Sequence, residues 1–251
     1  MYLYIFCRVF CPLVMLLWAL CLPATCPAAG NERIESLATA KRLLHHTVYA
    51  DHRRTLYCGI PFQDNGIAAL PVQYRPPAAL PRAARVEWEH AVPAEHFGRN
   101  FAAWRHGHPR CRDRQGRPFR GRACAQKVSR EYRRMQADMH NLFPALGLIN
   151  AARANFDFRL LPGVPPAFAF CAMKIARRHA EPPDRAKGIV ARAALYMQAS
   201  YAHFRLSRQQ EQLFQTWDRL FPPDRWECER NRRITRLQGN DNPFLTRRCA
   251  P

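Results

Sequence analysis

Acidic residues are scarce in this 251-residue chain: 19 Asp and Glu stand against 39 Lys and Arg, a formal net charge of +20. That imbalance points to a polyanionic partner, nucleic acid first and an anionic membrane surface second. Arginine supplies most of the positive charge, and its planar fork suits bidentate phosphate contact better than lysine does. Past residue 29 there is no apolar run long enough to cross a bilayer, so the rest of the chain is expected to be soluble. No G-x-S-x-G, Walker loop or dinucleotide fingerprint occurs, which removes local support for a serine hydrolase or a nucleotide-cofactor enzyme. Internal repeats and low-complexity tracts are also missing, and one α+β domain is the economical expectation.

The N-terminus has the three parts of a secretion signal. Arg8 is the only charge before Glu32, Leu13 to Leu22 form an apolar core, and small residues follow at Ala24, Ala28 and Ala29. Pro12, Pro23 and Pro27 interrupt the stretch, and its dense core is shorter than the ~20 residues a spanning helix needs. Residues 1–29 are therefore expected to be a cleaved signal and 30–251 the exported domain, periplasmic or secreted. Cys7, Cys11, Cys21 and Cys26 would leave with the signal. Six cysteines then remain, an even number suited to disulfides in an oxidising compartment. The short local loops favour Cys111–Cys124 and Cys228–Cys249, which leaves Cys58–Cys171. A zinc site from His106, His108, Cys111 and Cys124 is the alternative, but its spacing matches no common zinc pattern.

Periodicity predicts a helix over 31–50. A short strand running into a turn follows at 55–62, and a Pro/Ala-rich connector at 75–85 leads into a strand over 85–92. Residues 99–124 read as a long polar loop. Ser129 caps a helix to about Met139, residues 139–142 are extended, Pro144 breaks the backbone, and a short helix covers 146–155. Glu181-Pro-Pro-Asp184 opens a helix to about Arg205, and Ser207 with Gln210 has capping-box spacing for another to about Leu220.

The stretch "RVEWEHAVPAEHFG" (85–98) packs Glu87, Glu89 and His90 together, residue types that hold a metal ion or move protons. Downstream come "RGRAC" (120–124), "MQADMHNLFPALGLINAARANF" (135–156), "FAFCAMKIARRHAEPPDRAKGIVARAALYM" (168–197) and "WECERNRRITRLQGNDNPF" (226–244). Together these closely resemble the bacterial endonuclease I family: exported, sequence-nonspecific nucleases of the His-Me finger (ββα-metal) class. The resemblance runs from about residue 31 to 249.

It implies a disulfide-stabilised α+β domain built around a ββα-metal motif, and a metal-dependent endonuclease acting on DNA, with RNA also open, as a monomer. By position, His90 matches the general base, Glu89 a metal ligand, and Asn150 in "GLIN" the second ligand. Arg122 best matches the arginine that binds the scissile phosphate, with Arg120 a close competitor, and Glu87 is the rival ligand to Glu89. Histidine suits proton removal from water near neutrality, its unperturbed pKa being about 6.5. Carboxylate and amide oxygens favour one Mg²⁺, with Mn²⁺ or Ca²⁺ as substitutes, over Zn²⁺. The implied products carry 5′-phosphate and 3′-hydroxyl ends.

Arg130, Arg133, Arg134, Arg153 and Arg192 are candidate phosphate-groove contacts beside Arg120. Asn141 and Asn155 are expected to shape backbone, and Asp138 to be structural. The chain departs from the family pattern at Cys58-Gly59-Ile60, where members often carry Cys-x-Cys, and at Gln136, where some carry an acid. One geometric difficulty stands: neighbours on a regular strand point to opposite faces, so Glu89 and His90 need the strand to end or twist there. The competing function is a noncatalytic, basic nucleic-acid-binding protein of the cell envelope.

Overall fold

The structure is a computed structural model that describes residues 29–71 and 82–249. All of the expected signal except its last residue lies outside the described residues, as does most of the 75–85 connector. In chain order come α1 (Leu37–Leu43), β1 (Val86–His90), α2 (Ala94–Gly98), α3 (Ala102–His106), α4 (Arg122–Val128) and α5 (Arg130–Gln136). These are followed by β2 (Leu142–Leu146), α6 (Gly147–Arg153), β3 (Asp157–Phe158), β4 (Lys174–Ala176) and β5 (His179–Glu181). The helices α7 (Asp184–Ser200), α8 (Arg208–Leu220), α9 (Arg225–Gln238) and α10 (Pro243–Thr246) complete a mixed α+β domain.

Two antiparallel strands and one helix position the site. In register, Val86 faces Leu146, Glu87 faces Ala145, Trp88 faces Pro144, Glu89 faces Phe143 and His90 faces Leu142. Cross-strand partners share a face, so Glu87 and Glu89 stand on the side of Phe143 and Ala145, where the larger apolar cluster lies. Trp88 stands on the other side with Leu142 and Tyr49, in a smaller cluster with Leu44 and Val48. Pro144, expected to break the backbone, instead sits inside β2. Its carbonyl turns outward to accept from Leu56 N at 2.7 Å, which marks Trp88–Pro144 as a pair without ladder bonds. Proline's missing N–H therefore costs the sheet nothing.

β2 runs directly into α6, and the junction demands glycine. A Cβ on Gly147 would lie 2.3 Å from the Arg82 carbonyl oxygen. The same residue's N–H bonds the Arg85 carbonyl at 2.7 Å, pulling the helix start onto the entrance of β1.

Elsewhere the chain follows its capping residues. Ser129, Ser207 and Asp224 each accept at the N-terminus of α5, α8 and α9. The expected 31–50 helix starts later, because Asn31 Oδ1 captures the N–H groups of Arg33 and Ile34 and Ser36 becomes the cap. It continues as a π-turn, Leu44–Val48. Residues 55–62 are turns with isolated bridges rather than a strand: Thr55 takes the N–H groups of Gly59 and Ile60. The 99–124 segment is not a continuous loop, since it contains α3 and the start of α4.

Asp138, just before β2, is fully buried and collects donors from distant parts of the chain. The hydroxyls of Tyr196 and Tyr201 reach Oδ2 at 2.6 and 2.5 Å, and Gln238 Nε2 reaches Oδ1 at 2.8 Å. The Asn31 N–H adds a longer contact to Oδ2. All three expected disulfides are present: Cys58–Cys171, Cys111–Cys124 and Cys228–Cys249. The first closes a separation of 113 residues and the second only 13.

Loop-closure entropy makes the long crosslink the more valuable, about 4.7 kcal/mol for a 100-residue loop against about 3 for a 15-residue one. Replacing Cys58 and Cys171 with serine should lower unfolding stability by more than replacing Cys111 and Cys124 does. Urea midpoints of the two double variants check the order.

Candidate active site

α6 lies against β1 so that two residues three apart on the helix meet two residues two apart on the strand. Asn150 Nδ2 donates to Glu87 Oε2 at 2.7 Å, and Arg153 donates to Glu89 Oε1 at 2.7 Å. Helical i,i+3 spacing and strand i,i+2 spacing both keep their residues on one face, which makes this double match possible.

The two glutamates live in different surroundings. Glu87 is half-buried and held by Arg82 through a two-bonded pair. Burial works against its ionisation, but the bonds from Arg82 and Asn150 prevail and its carboxyl stays below the usual range. Glu89 is 4% exposed. Burial pushes its carboxyl up, opposed by Arg153 and by the Tyr57 hydroxyl, which donates to Oε1 at 3.0 Å. Among the described residues no donor reaches Glu89 Oε2. Because Glu87 can only accept, the Asn150 amide nitrogen faces it and Oδ1 is turned away, also without a donor among the described residues.

His90, half-buried, is the last residue of β1. Its Nε2 lies 2.8 Å from the Gln136 carbonyl at the end of α5. A carbonyl only accepts, so Nε2 carries the proton and the neutral ring keeps its lone pair on Nδ1. Burial first, then the charges of Arg122, Lys41 and Arg153, push its pKa down to about 3. The imidazole is therefore neutral across the physiological range.

Glu89, His90, Arg122, Asn150 and Arg153 line one cleft of roughly 330 Å³, with Trp88, Trp104 and Asn155. The difficulty of adjacent residues on opposite faces is met by the strand ending at His90, before the chain bends into Pro93 and α2. Glu87 is not among the lining residues. A larger cleft of roughly 440 Å³ around His52, Arg185, Phe221 and Trp226 contains Arg192 but none of Glu89, His90, Arg122 and Asn150.

Arg122 opens α4 with an exposed side chain, close enough for its charge to bear on His90 and on Tyr132. Arg120 is exposed on the preceding hairpin and does not line the cleft. Arg130 and Arg133 are exposed or half-buried and both pair with Glu35. Arg134 is half-buried on the same helix.

Two expected groove arginines are instead interior. Arg153 is 1% exposed, and besides Glu89 it donates to the carbonyls of His90 and Ala91. Arg192 is equally buried and pairs with Glu227 and Asp218. Asn141 bonds both backbone groups of Val92, and Asn155 bonds Glu95 while its carbonyl meets His96 Nε2. The zinc alternative fails because Cys111 and Cys124 are joined. Another metal-type group, His45, His46 and Asp64, lies outside the cleft, and its carboxylate is paired with Arg53.

Sequence reasoning missed Lys41 and Tyr57. Lys41 is half-buried on α1; burial, then the Arg122 charge, depress its pKa, and Glu87 opposes them. It thus faces the same electrostatic neighbourhood as His90 from an element some fifty residues upstream. Nothing in its local spacing signals this.

A half-buried neutral histidine, two oxygen atoms without a donor among the described residues and the exposed Arg122 thus share one cleft. The Endonuclease I family profile matches residues 78–249. An extracellular deoxyribonuclease of Aeromonas hydrophila is 41% identical over 247 residues, covering 96% of this chain and 99% of that protein. A periplasmic deoxyribonuclease of the same organism is 42% identical over 209 residues, covering 80% and 82%. Endonuclease-1 of Buchnera aphidicola subsp. Acyrthosiphon pisum is 35% identical over 225 residues, covering 87% and 84%. The chain belongs to the Endonuclease I family.

Removing one member of a buried ion pair typically costs about 3–5 kcal/mol, because the other charge is left uncompensated. Arg153→Leu should therefore destabilise the fold by about that amount in chemical denaturation. Were Arg153 a surface groove contact, the change would stay within about 0.5 kcal/mol.

Proposed function

We propose that this protein is an exported, sequence-nonspecific endonuclease that hydrolyses DNA phosphodiesters with His90 as general base, and that β1, β2 and α6 form a ββα-metal motif. The observation that carries the reading is the convergence of His90, Glu89, Asn150 and Arg122 on one cleft in a chain of this family. Relatives named as extracellular and periplasmic deoxyribonucleases support DNA as the substrate and a place outside the cytoplasm, in keeping with the N-terminal signal pattern. RNA is an open second substrate, and the protein acts as a monomer.

His90 Nδ1 accepts the proton of the attacking water, while the Gln136 carbonyl holds the ring through Nε2–H and stabilises the imidazolium that forms. Arg122 contacts the scissile phosphate and stabilises the charge that builds on it. Lys41 adds a point charge to the same field. Glu89 Oε2 and Asn150 Oδ1 fit one hard divalent cation: both are oxygen donors with spare acceptor capacity, and burial makes the Glu89 carboxylate favour a cation beside it. When bound, Mg²⁺, or Mn²⁺ or Ca²⁺ in its place, supplies neutralisation of charge developing at the 3′ oxygen. Glu87 orients Asn150, and Arg153 with Tyr57 orients Glu89. The products are 5′-phosphate and 3′-hydroxyl ends.

Plasmid nicking by the purified 30–251 chain in Mg²⁺ tests this. EDTA should abolish nicking, and His90→Ala should reduce its rate by about 10²–10⁴-fold. The nicks should be sealed by DNA ligase, which requires a 5′-phosphate. Unchanged activity in the variant discards the mechanism, and a gel shift without cleavage favours the noncatalytic reading.

A further inference from the structure

Between Arg99 and Arg122 the chain carries eight arginines, no lysine and a single acid, Asp113. All eight arginines are exposed. Arg99 pairs with Glu95 and Arg117 with Asp113, whereas Arg105, Arg110, Arg112, Arg114, Arg120 and Arg122 have no carboxylate partner among the described residues. Charge of one sign at this density repels itself, so the segment needs a reason to stay folded and unneutralised.

The fold supplies rigidity at that place. Residues 111–119 close a small hairpin: Arg112 bridges Pro118, Asp113 N–H donates to the Arg117 carbonyl at 2.9 Å, and Phe119 N–H donates to the Cys111 carbonyl at 2.9 Å. Asp113 Oδ1 accepts from the N–H groups of Gln115 and Arg117, and its other oxygen accepts from Arg117 Nε at 2.7 Å. The Cys111–Cys124 disulfide ties the hairpin base to α4, whose first residue is Arg122. A concave surface of roughly 490 Å³ at that base is lined by His106, His108, Arg112, Phe119 and Arg120. Preformed cations in a curved polar surface bind phosphate without the cost of ordering a loop.

We propose that this disulfide-closed hairpin is a second, noncatalytic phosphate-binding site that grips the backbone of duplex DNA beyond the scissile bond. The hairpin, held by one bridge and a disulfide, projects exposed arginines that can meet the phosphates of a duplex backbone. Contacts of this kind fix register and affinity without reading sequence. The inference rests on the nuclease reading only for the choice of duplex DNA as the polyanion.

The test is binding of a fluorescein-labelled 20-base-pair duplex in EDTA, followed by anisotropy as salt rises from 50 to 200 mM. Each lost phosphate contact lowers the slope of log K against log salt by about 0.9. Changing Arg110, Arg112 and Arg114 together to Gln should lower it by about 2 to 3. Changing the same three to Lys should restore it, and both variants should keep the parent thermal midpoint. Replacing exposed Arg208, Arg219 and Arg225 on α8 and α9 with Gln removes equal charge elsewhere and should leave the slope within about one. An unchanged slope in the hairpin variant, or an equal fall in the α8–α9 variant, overturns the proposal. Binding through the hairpin without plasmid cleavage would leave it standing and remove the nuclease reading, whereas cleavage with an unchanged slope would do the reverse.

Discussion

The site depends on one carboxylate that has been taken out of water. Glu89 is too deeply placed to be solvated, so the fold answers it twice on a single oxygen, with Arg153 from α6 and the Tyr57 hydroxyl. Those two bonds require the helix to lie where Asn150 meets Glu87, and they require the turn at 55–60 to stay against β2. The turn is kept there by the Leu56–Pro144 backbone bond and by the Cys58–Cys171 crosslink. What remains is the second oxygen of Glu89, held still in the wall of the cleft. A group positioned this tightly loses little entropy on engaging a ligand.

Several of the few acids of this basic chain pair with buried or half-buried cations. Glu227 and Asp218 answer buried Arg192, Glu181 answers Lys187 and Lys174, and Asp51 and Glu229 hold Arg233. Buried Arg230 is met instead by the Tyr49 hydroxyl and the carbonyls of Met139 and Leu142, while most of the Arg99–Arg122 segment is left without an acid. Net charge is therefore a poor description of the surface. The useful quantity is where compensation stops, and the densest uncompensated run, Arg105 to Arg122, ends at the residue that lines the cleft.

Much of this was readable beforehand. The strand through "VEWEH", the Ser129 and Ser207 caps and all three disulfides follow from local chemistry: alternation, side-chain oxygens at helix starts, and loop length. The gathering of His90, Glu89, Asn150 and Arg122 came from the ordered motifs rather than from any one of them. Arg153 was misplaced because an exposed and a buried arginine look alike in a string; only the match of α6 to β1 sends it inward. Pro144 misled because its effect depends on which way the carbonyl of one strand residue turns. Helix α9 did carry a signal, Asp224 with Glu227 at cap spacing, hidden by the many charges that follow. Lys41 had no signal, since only the packing of α1 brings it near the cleft.

Asp138 gives the architecture a direction in time. Its carboxylate gathers groups from near the start of the described chain, from α7 and from the last turn of α9, and it stands at the doorstep of β2. Synthesis delivers Gln238 after every other partner of Asp138. Until then the buried carboxylate lacks one of its partners and the strand behind it is not fully braced. The residue at the entrance to β2 thus gains its full set of partners only once α9 has been made, which ties the bracing of the strand beside the cleft to a late part of the chain.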